Sequence, residues 1–207
     1  MNIELNVSVV DDDPAVRKSI CALLDSDGLT PRGFESAQSF LDAFSADDTG
    51  CLVVDVQMPG MNGLELQARL AVLGIDLPII IITGHGDVPM AVQALKAGAF
   101  DFIEKPFDDD IFLDSVRRAL AQNEMQQAEK TLFAHAVERI ALLTPRESEV
   151  LEQLVTGRPN KIIAYELGIS TRTVETHRAR VMEKMQSRSL SHLVRMALAA
   201  GIAPQSS

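Results

Sequence analysis

Cysteine is scarce in this chain, with only Cys21 and Cys51 in 207 residues. A chain of this length needs no covalent staple, so two thiols point to free cysteines in a reducing, cytoplasmic setting rather than to a disulfide scaffold. No apolar run approaches the roughly 18 residues of a membrane span, and residues 1–6 have neither a basic start nor a signal-type apolar core, so no membrane role is expected. Pro/Ser-rich and repetitive tracts are also missing, and 46% of residues are hydrophobic, which excludes a disordered chain. Cations are outnumbered, giving a formal net charge of −10. The imbalance is local: residues 1–120 carry 8 Lys/Arg against 20 Asp/Glu, whereas residues 144–207 carry 9 against 6. An acidic front and a mildly basic back suggest two modules, the second able to approach a polyanion.

What is present is a set of short apolar stretches that each end in a reactive group. Residues 7–10 run into Asp11 and Asp12, residues 52–54 into Asp55, residues 79–82 into Thr83, and residues 102–103 through Glu104 into Lys105. Segments with helical spacing lie between them, so the front half reads as five βα units. Strands are expected near 6–10, 30–34, 51–55, 79–83 and 100–104, with helices at about 14–26, 37–46, 62–73, 88–97 and from 109 onward. Pro31 and Gly33 make the second strand the poorest, which suits a less demanding pairing position. Asp87 can cap the fourth helix, and Gly98 lies just past its end. In an open parallel sheet ligands bind beyond the carboxyl ends of the strands, so the reactive groups are expected on one edge.

From residue 109 to 143 no breaker interrupts the helical spacing. The expectation is a fifth helix prolonged into a helical linker over 121–143, with a flexible hinge within 122–130 as the rival. Self-pairing of the linker is also open, although its seam is too broken for a coiled coil. The back module, 144–207, opens on Thr144-Pro145-Arg146-Glu147, a capping box with proline at the first helical position. Short helices at 160–167 and 171–185, joined by the turn Gly168-Ile169-Ser170, form a helix-turn-helix pattern, and a last helix covers about 190–199.

Asp11, Asp12 and Asp55 are hard oxygen ligands that would repel one another without a counter-ion. Mg²⁺ suits such a group, since it takes a few carboxylates plus waters and a phosphate. One projecting carboxylate beside it is a nucleophile for a phosphoryl group, with Lys105 to neutralise charge and Thr83 to donate a hydroxyl. The product is an aspartyl phosphate.

The runs Val9-Val10-Asp11-Asp12-Asp13, Asp55 through Gly63, Thr83-Gly84-His85-Gly86 and Lys105-Pro106-Phe107 resemble the receiver domain of bacterial two-component response regulators. The resemblance spans about residues 5–120 and implies a flavodoxin-like, doubly wound (βα)5 fold of the α/β class. It implies that Asp55 accepts phosphate from a sensor histidine kinase, and that Mg²⁺ is held by Asp11, Asp12, Asp55 and the Gln57 backbone carbonyl. It further implies a cis Lys105–Pro106 bond and Phe102 as a switch aromatic, a position that the residues alone read as core. His85, between glycines, reads as a loop residue rather than a catalytic base.

On a helical wheel, Val174, Val181 and Met185 share a core side with the stem of Arg178. Arg172, Glu175, Thr176, Ala179 and Arg180 fall on the other face, which can enter a major groove. Glu175 and Glu183 oppose phosphate binding there. Asn160, Lys161 and Arg188 could hold the DNA backbone. Residues 140–202 are similar to the four-helix DNA-binding domain of the LuxR/NarL group, which implies base reading by Glu175, Thr176 and Ala179 and adds His177 and Lys184. For His177, packing and phosphate contact stay equally open. The two modules together resemble the FixJ subgroup of regulators. The resemblance implies a transcriptional activator rather than an enzyme, with promoter DNA and RNA polymerase as partners. It also implies a homodimer formed on phosphorylation through a face near Ala91, Leu95 and Phe107. Two rivals remain: a haloacid-dehalogenase-like phosphatase using Asp11, and a regulator whose back module binds protein.

Overall fold

The computed structural model describes residues 6–45, 48–84 and 88–202. The chain divides into two compact units, Met1–Met125 and Gln126–Ser207. In the front unit five parallel strands, β1 (Asn6–Val10), β2 (Thr30–Phe34), β3 (Cys51–Asp55), β4 (Ile79–Thr83) and β5 (Asp101–Glu104), pair in the order β2-β1-β3-β4-β5. Helices α1 (Pro14–Ser26), α2 (Ala37–Ala43), α3 (Gly63–Val72), α4 (Val88–Lys96) and α5 (Asp109–Ile140) alternate with them.

Strands β3 and β4 are buried along their whole length, as β-branched runs covered on both faces must be. Alternation sends Val9, Val53, Ile80 and Ile82 to a core shared with α1 and α5. Val10, Leu52, Val54 and Ile81 go to a second core with α2, α3 and Ala94 of α4. Strand β2, with its proline and glycine, is an edge strand, where a missing donor costs least.

One expectation shifts. Helix α2 ends at Ala43 rather than 46, because Phe44 turns to extended backbone and brings its ring to 5.6 Å from Phe40; Ala46 lies outside the described residues, as do Asp87 and His85. Helix α5 runs unbroken through 122–130. The helical stretch from 121 onward continues α5, and each end of it is used in packing. Asn123 is buried and its Oδ1 accepts from the Gly50 N–H at 3.0 Å, while Ala136 is buried with Leu132, Ile140 and Leu143 in the core of the back unit. Polar composition hid this, because one buried amide with a backbone partner looks like a surface residue in a helical pattern.

The back unit adds α6 (Pro145–Val155), α7 (Asn160–Leu167), α8 (Thr171–Lys184) and α9 (Leu190–Ala199). The Thr144–Glu147 capping box forms in both directions. Gly168 closes α7 in the left-handed conformation, and Ser170 caps α8 through the Thr173 N–H. Val150, Leu151, Ile163, Val174, Val181, Met185 and Leu193 form the core of this unit.

Candidate functional site

The strand order reverses direction between β1 and β3, and the crevice at their carboxyl ends is where this topology places ligands. Asp11 follows β1 and Asp55 ends β3, and both are buried. Lys105, immediately after β5, reaches across to them. Its Nζ donates to Asp11 Oδ2 at 2.8 Å and to Asp55 Oδ1 at 2.7 Å. The second Asp55 oxygen accepts from the Gln57 N–H at 2.6 Å, and Asp11 Oδ1 accepts from the Asp13 N–H at 2.9 Å. Thr83 is fully buried at the end of β4, level with Glu104 of β5. The Lys105–Pro106 peptide is cis.

Burial pushes the Asp55 carboxyl up, against the lowering pull of Lys105 and the Gln57 N–H, while Asp11 pushes it further up. The Lys105 ammonium also moves up: its desolvation is outweighed by two carboxylate hydrogen bonds. The two directions are compatible because one cation draws on two anions, whereas Asp55 shares that cation and is also desolvated. The pocket therefore holds a carboxylate that is poorly neutralised, the condition for a nucleophile.

Gly63 shows how closely the site is built. A Cβ there would lie 2.4 Å from the Asp55 carbonyl oxygen, so only glycine lets α3 start against the end of β3. Phe102 is half-buried and packs against the core under α3 and α4, as its core reading held. Phe107 is not on the face around α4: it stacks on Phe112 at 4.9 Å in the opposite core, whereas Leu95 is exposed.

Asp12 is exposed beside Asp11, and among the described residues no three acidic, histidine or cysteine side chains converge as a ready-made metal cage. The donor set nevertheless fits Mg²⁺. Carboxylates are the right ligand type, they outnumber the one ammonium that neutralises them, and this ion takes only one or two together with waters and phosphate oxygens.

On α8, Val174, Val181 and Met185 are buried and Arg172, Glu175, Thr176, Ala179 and Arg180 are exposed, the division the wheel gave. Lys161 is exposed at the start of α7, as is Arg188 after α8. Asn160 is half-buried and its Oδ1 accepts from Arg178 Nη1 at 3.3 Å, so it ties α7 to α8. Half-buried His177 has a buried Nδ1 with no hydrogen-bond partner among the described residues. Lys184, expected on DNA, is half-buried and bonded within this unit. Its Nζ donates to Glu147 Oε2 at 2.6 Å and to the Leu142 carbonyl at 3.1 Å. Glu147, read from sequence only as a capping residue, is thus a buried anion that draws Lys184 to itself.

Asp13 caps α1, its Oδ1 accepting from the Ala15 N–H at 2.7 Å. Residues 7–117 match the response regulator receiver domain, and residues 141–197 match the luxR family of bacterial regulatory proteins. The transcriptional regulatory protein FixJ of Azorhizobium caulinodans is 52% identical over 200 residues, covering 97% of this chain and 95% of that one. FixJ of Rhizobium meliloti strain 1021 is 49% identical over 202 residues, covering 97% and 98%. A solved structure of the response regulator StyR superposes with a TM-score of 0.78 at 41% identity, covering 93% of this chain and 98% of that one. A receiver joined to a luxR-type domain is the make-up of a transcription factor and not of a phosphatase. This chain belongs to the two-component response regulators, with a receiver domain followed by a luxR-family DNA-binding domain.

Proposed function

We propose that Asp55 is the phospho-acceptor of a cytoplasmic transcriptional activator. The observation that carries this reading is the Lys105 ammonium held between the Asp11 and Asp55 carboxylates at the ends of β1 and β3. An Asp55 oxygen attacks the phosphorus of a kinase phosphohistidine. The P–N bond breaks, and the imidazole leaves with its electron pair and takes up a proton. Lys105 turns from Asp55 toward the incoming phosphoryl oxygens, and the Thr83 hydroxyl donates to one of them. Mg²⁺, held by Asp11, Asp12, Asp55 and the Gln57 carbonyl, supplies charge neutralisation when bound.

The product carries roughly −1.5 to −2 charge. Thr83 then moves toward the phosphate and Phe102 repacks, so the surface around α4 and β5 changes. That surface, with Ala91 and exposed Leu95, forms a homodimer. Two recognition helices then meet half-sites about one helical turn apart on promoter DNA, where the dimer engages RNA polymerase. The two compact units, 1–125 and 126–207, support a receiver over 1–120 and a DNA-binding module over 144–207 joined by the helical stretch 121–143. Among the described residues no helix is long and apolar enough to cross a membrane.

Glu175, Thr176 and Ala179 read bases, while Arg172, Arg180 and Lys161 hold phosphates; Asn160 orients α7 against α8. Labelling with acetyl phosphate tests the first half, with a Mg²⁺-dependent adduct expected on Asp55 and chelation expected to prevent it. Gel shifts test the second. Lys161→Ala is expected to weaken binding to all sequences alike and to reduce the salt slope by roughly one. Thr176→Ala and Glu175→Ala are expected to change which bases are preferred, by about 1–3 kcal/mol at one position. Retention that is indifferent to salt would instead indicate a protein partner.

A further inference from the structure

Arg17 sits one turn into α1, and neither spacing nor charge pattern marks it. Its Nη1 donates to the main-chain carbonyl of Asp11 at 2.5 Å. The Asp11 N–H donates to the Phe34 carbonyl of β2 at 3.2 Å, so the peptide groups on both sides of this residue are held. Adjacent, like-charged Asp11 and Asp12 give this turn a reason to spread, and a charged donor on the carbonyl between them opposes it.

Gly33 in β2 explains how the side chain gets there. A Cβ at Gly33 would lie 3.3 Å from both Cγ and Cδ of Arg17 and 3.5 Å from Cys21 Sγ. Gly33 is not among the residues with positive φ, so glycine is there for space and not for backbone freedom. The weakest feature of the weakest strand is therefore the groove that carries the Arg17 stem to the acidic turn.

We propose that Arg17 is a positioning residue for phosphoryl transfer: clamped over Gly33, it fixes the β1–α1 turn that aims Asp11 and Asp12. This rests on Asp55 being the acceptor. Arg17 touches the turn and not the donor, so its loss lowers the rate at saturation without weakening donor binding.

The test uses the full chain, acetyl phosphate and excess Mg²⁺, with initial rates of Asp55 labelling and hydrogen exchange at the Asp13 amide as separate readouts. Arg17→Ala is expected to lower kcat about tenfold with KM nearly unchanged, and to speed Asp13 exchange. Arg17→Lys, which keeps a cationic donor, restores most of the rate. Gly33→Ala lowers kcat by about threefold alone and has no further effect in the Arg17→Ala background, because it acts only through the arginine stem. Unchanged kcat and unchanged Asp13 exchange, a loss confined to KM, or additive Gly33 and Arg17 effects would each overturn the proposal. If Arg17→Ala does not fold, Arg17→Lys and Gly33→Ala decide it alone. Wild-type protein that takes no label on Asp55 is a failure of the acceptor assignment, while the exchange data still report on the clamp.

Discussion

Asp55→Asn is expected to abolish phosphoryl labelling by both kinase and acetyl phosphate and, at neutral pH without Mg²⁺, to raise the melting temperature of the front unit. The second outcome follows from the direction of the Asp55 shift. Burial raises its pKa above the unfolded value despite Lys105, so ionised Asp55 costs the fold stability at neutral pH. A raised carboxyl favours the folded state only while protonated, below the ordinary carboxylate pKa, and that contribution is lost as pH rises through the folded value. The asparagine variant therefore gains most above the folded pKa, and the gain shrinks on acidification. Lys105 keeps Asp11 as a partner in the variant. Calorimetry in chelator at two pH values reads the stability, and mass spectrometry reads the adduct. An adduct that persists at Asp11 would revive the phosphatase chemistry. A fall in melting temperature would mean that the Lys105 pair outweighs burial.

The fold was legible because its strands need burial on both faces. Runs such as Ile79-Ile80-Ile81-Ile82 admit few other placements, and the polar residue after each run marks where the sheet ends. Helix starts were legible where a side chain caps them, as at Thr144 and Ser170. The prolonged fifth helix was legible as a helix, but its packing was not, because that rests on few residues. Asn123 is buried through one backbone partner, and Ala136 is too small to signal a core position by hydrophobicity.

The acidic site was legible in its members and less so in its wiring. Composition places Asp11, Asp55 and Lys105 at strand ends, but only coordinates show one ammonium shared between two carboxylates, or the Gln57 N–H on Asp55. Arg17 was invisible because it works on a main-chain carbonyl, and side-chain patterns carry no record of that. The contact between Lys184 and Glu147 was hidden for a related reason. A cation on a recognition helix suggests phosphate, and the wheel cannot register a buried carboxylate supplied from another helix, three residues past a cap. The exposed face of α8 was read correctly because amphipathic spacing alone decides it.

The Glu147–Lys184 pair carries the largest stability effect expected in the back unit. Glu147 is almost fully buried, accepts from Lys184 and from the Thr144 N–H, and has its pKa held down to about 2, chiefly by Lys184. Glu147→Ala removes the capping contact and leaves Lys184 without its carboxylate partner, a change expected to cost about 2–3 kcal/mol. Glu147→Gln keeps a capping acceptor and is expected to cost less. DNA binding should then fail at temperatures where Asp55 labelling in the front unit persists. A depressed carboxylate contributes stability above its unfolded pKa, near 4.5, and loses it as pH falls toward 2. The wild-type back unit should accordingly lose stability across that window, and the glutamine variant should show a shallower dependence there. Pairing Glu147→Gln with Lys184→Met is expected to recover part of the loss, since replacing both members of a buried pair leaves no orphaned charge. Lys184→Met alone should lower stability while leaving the salt slope of DNA binding unchanged. A reduced slope in that variant would return Lys184 to the DNA.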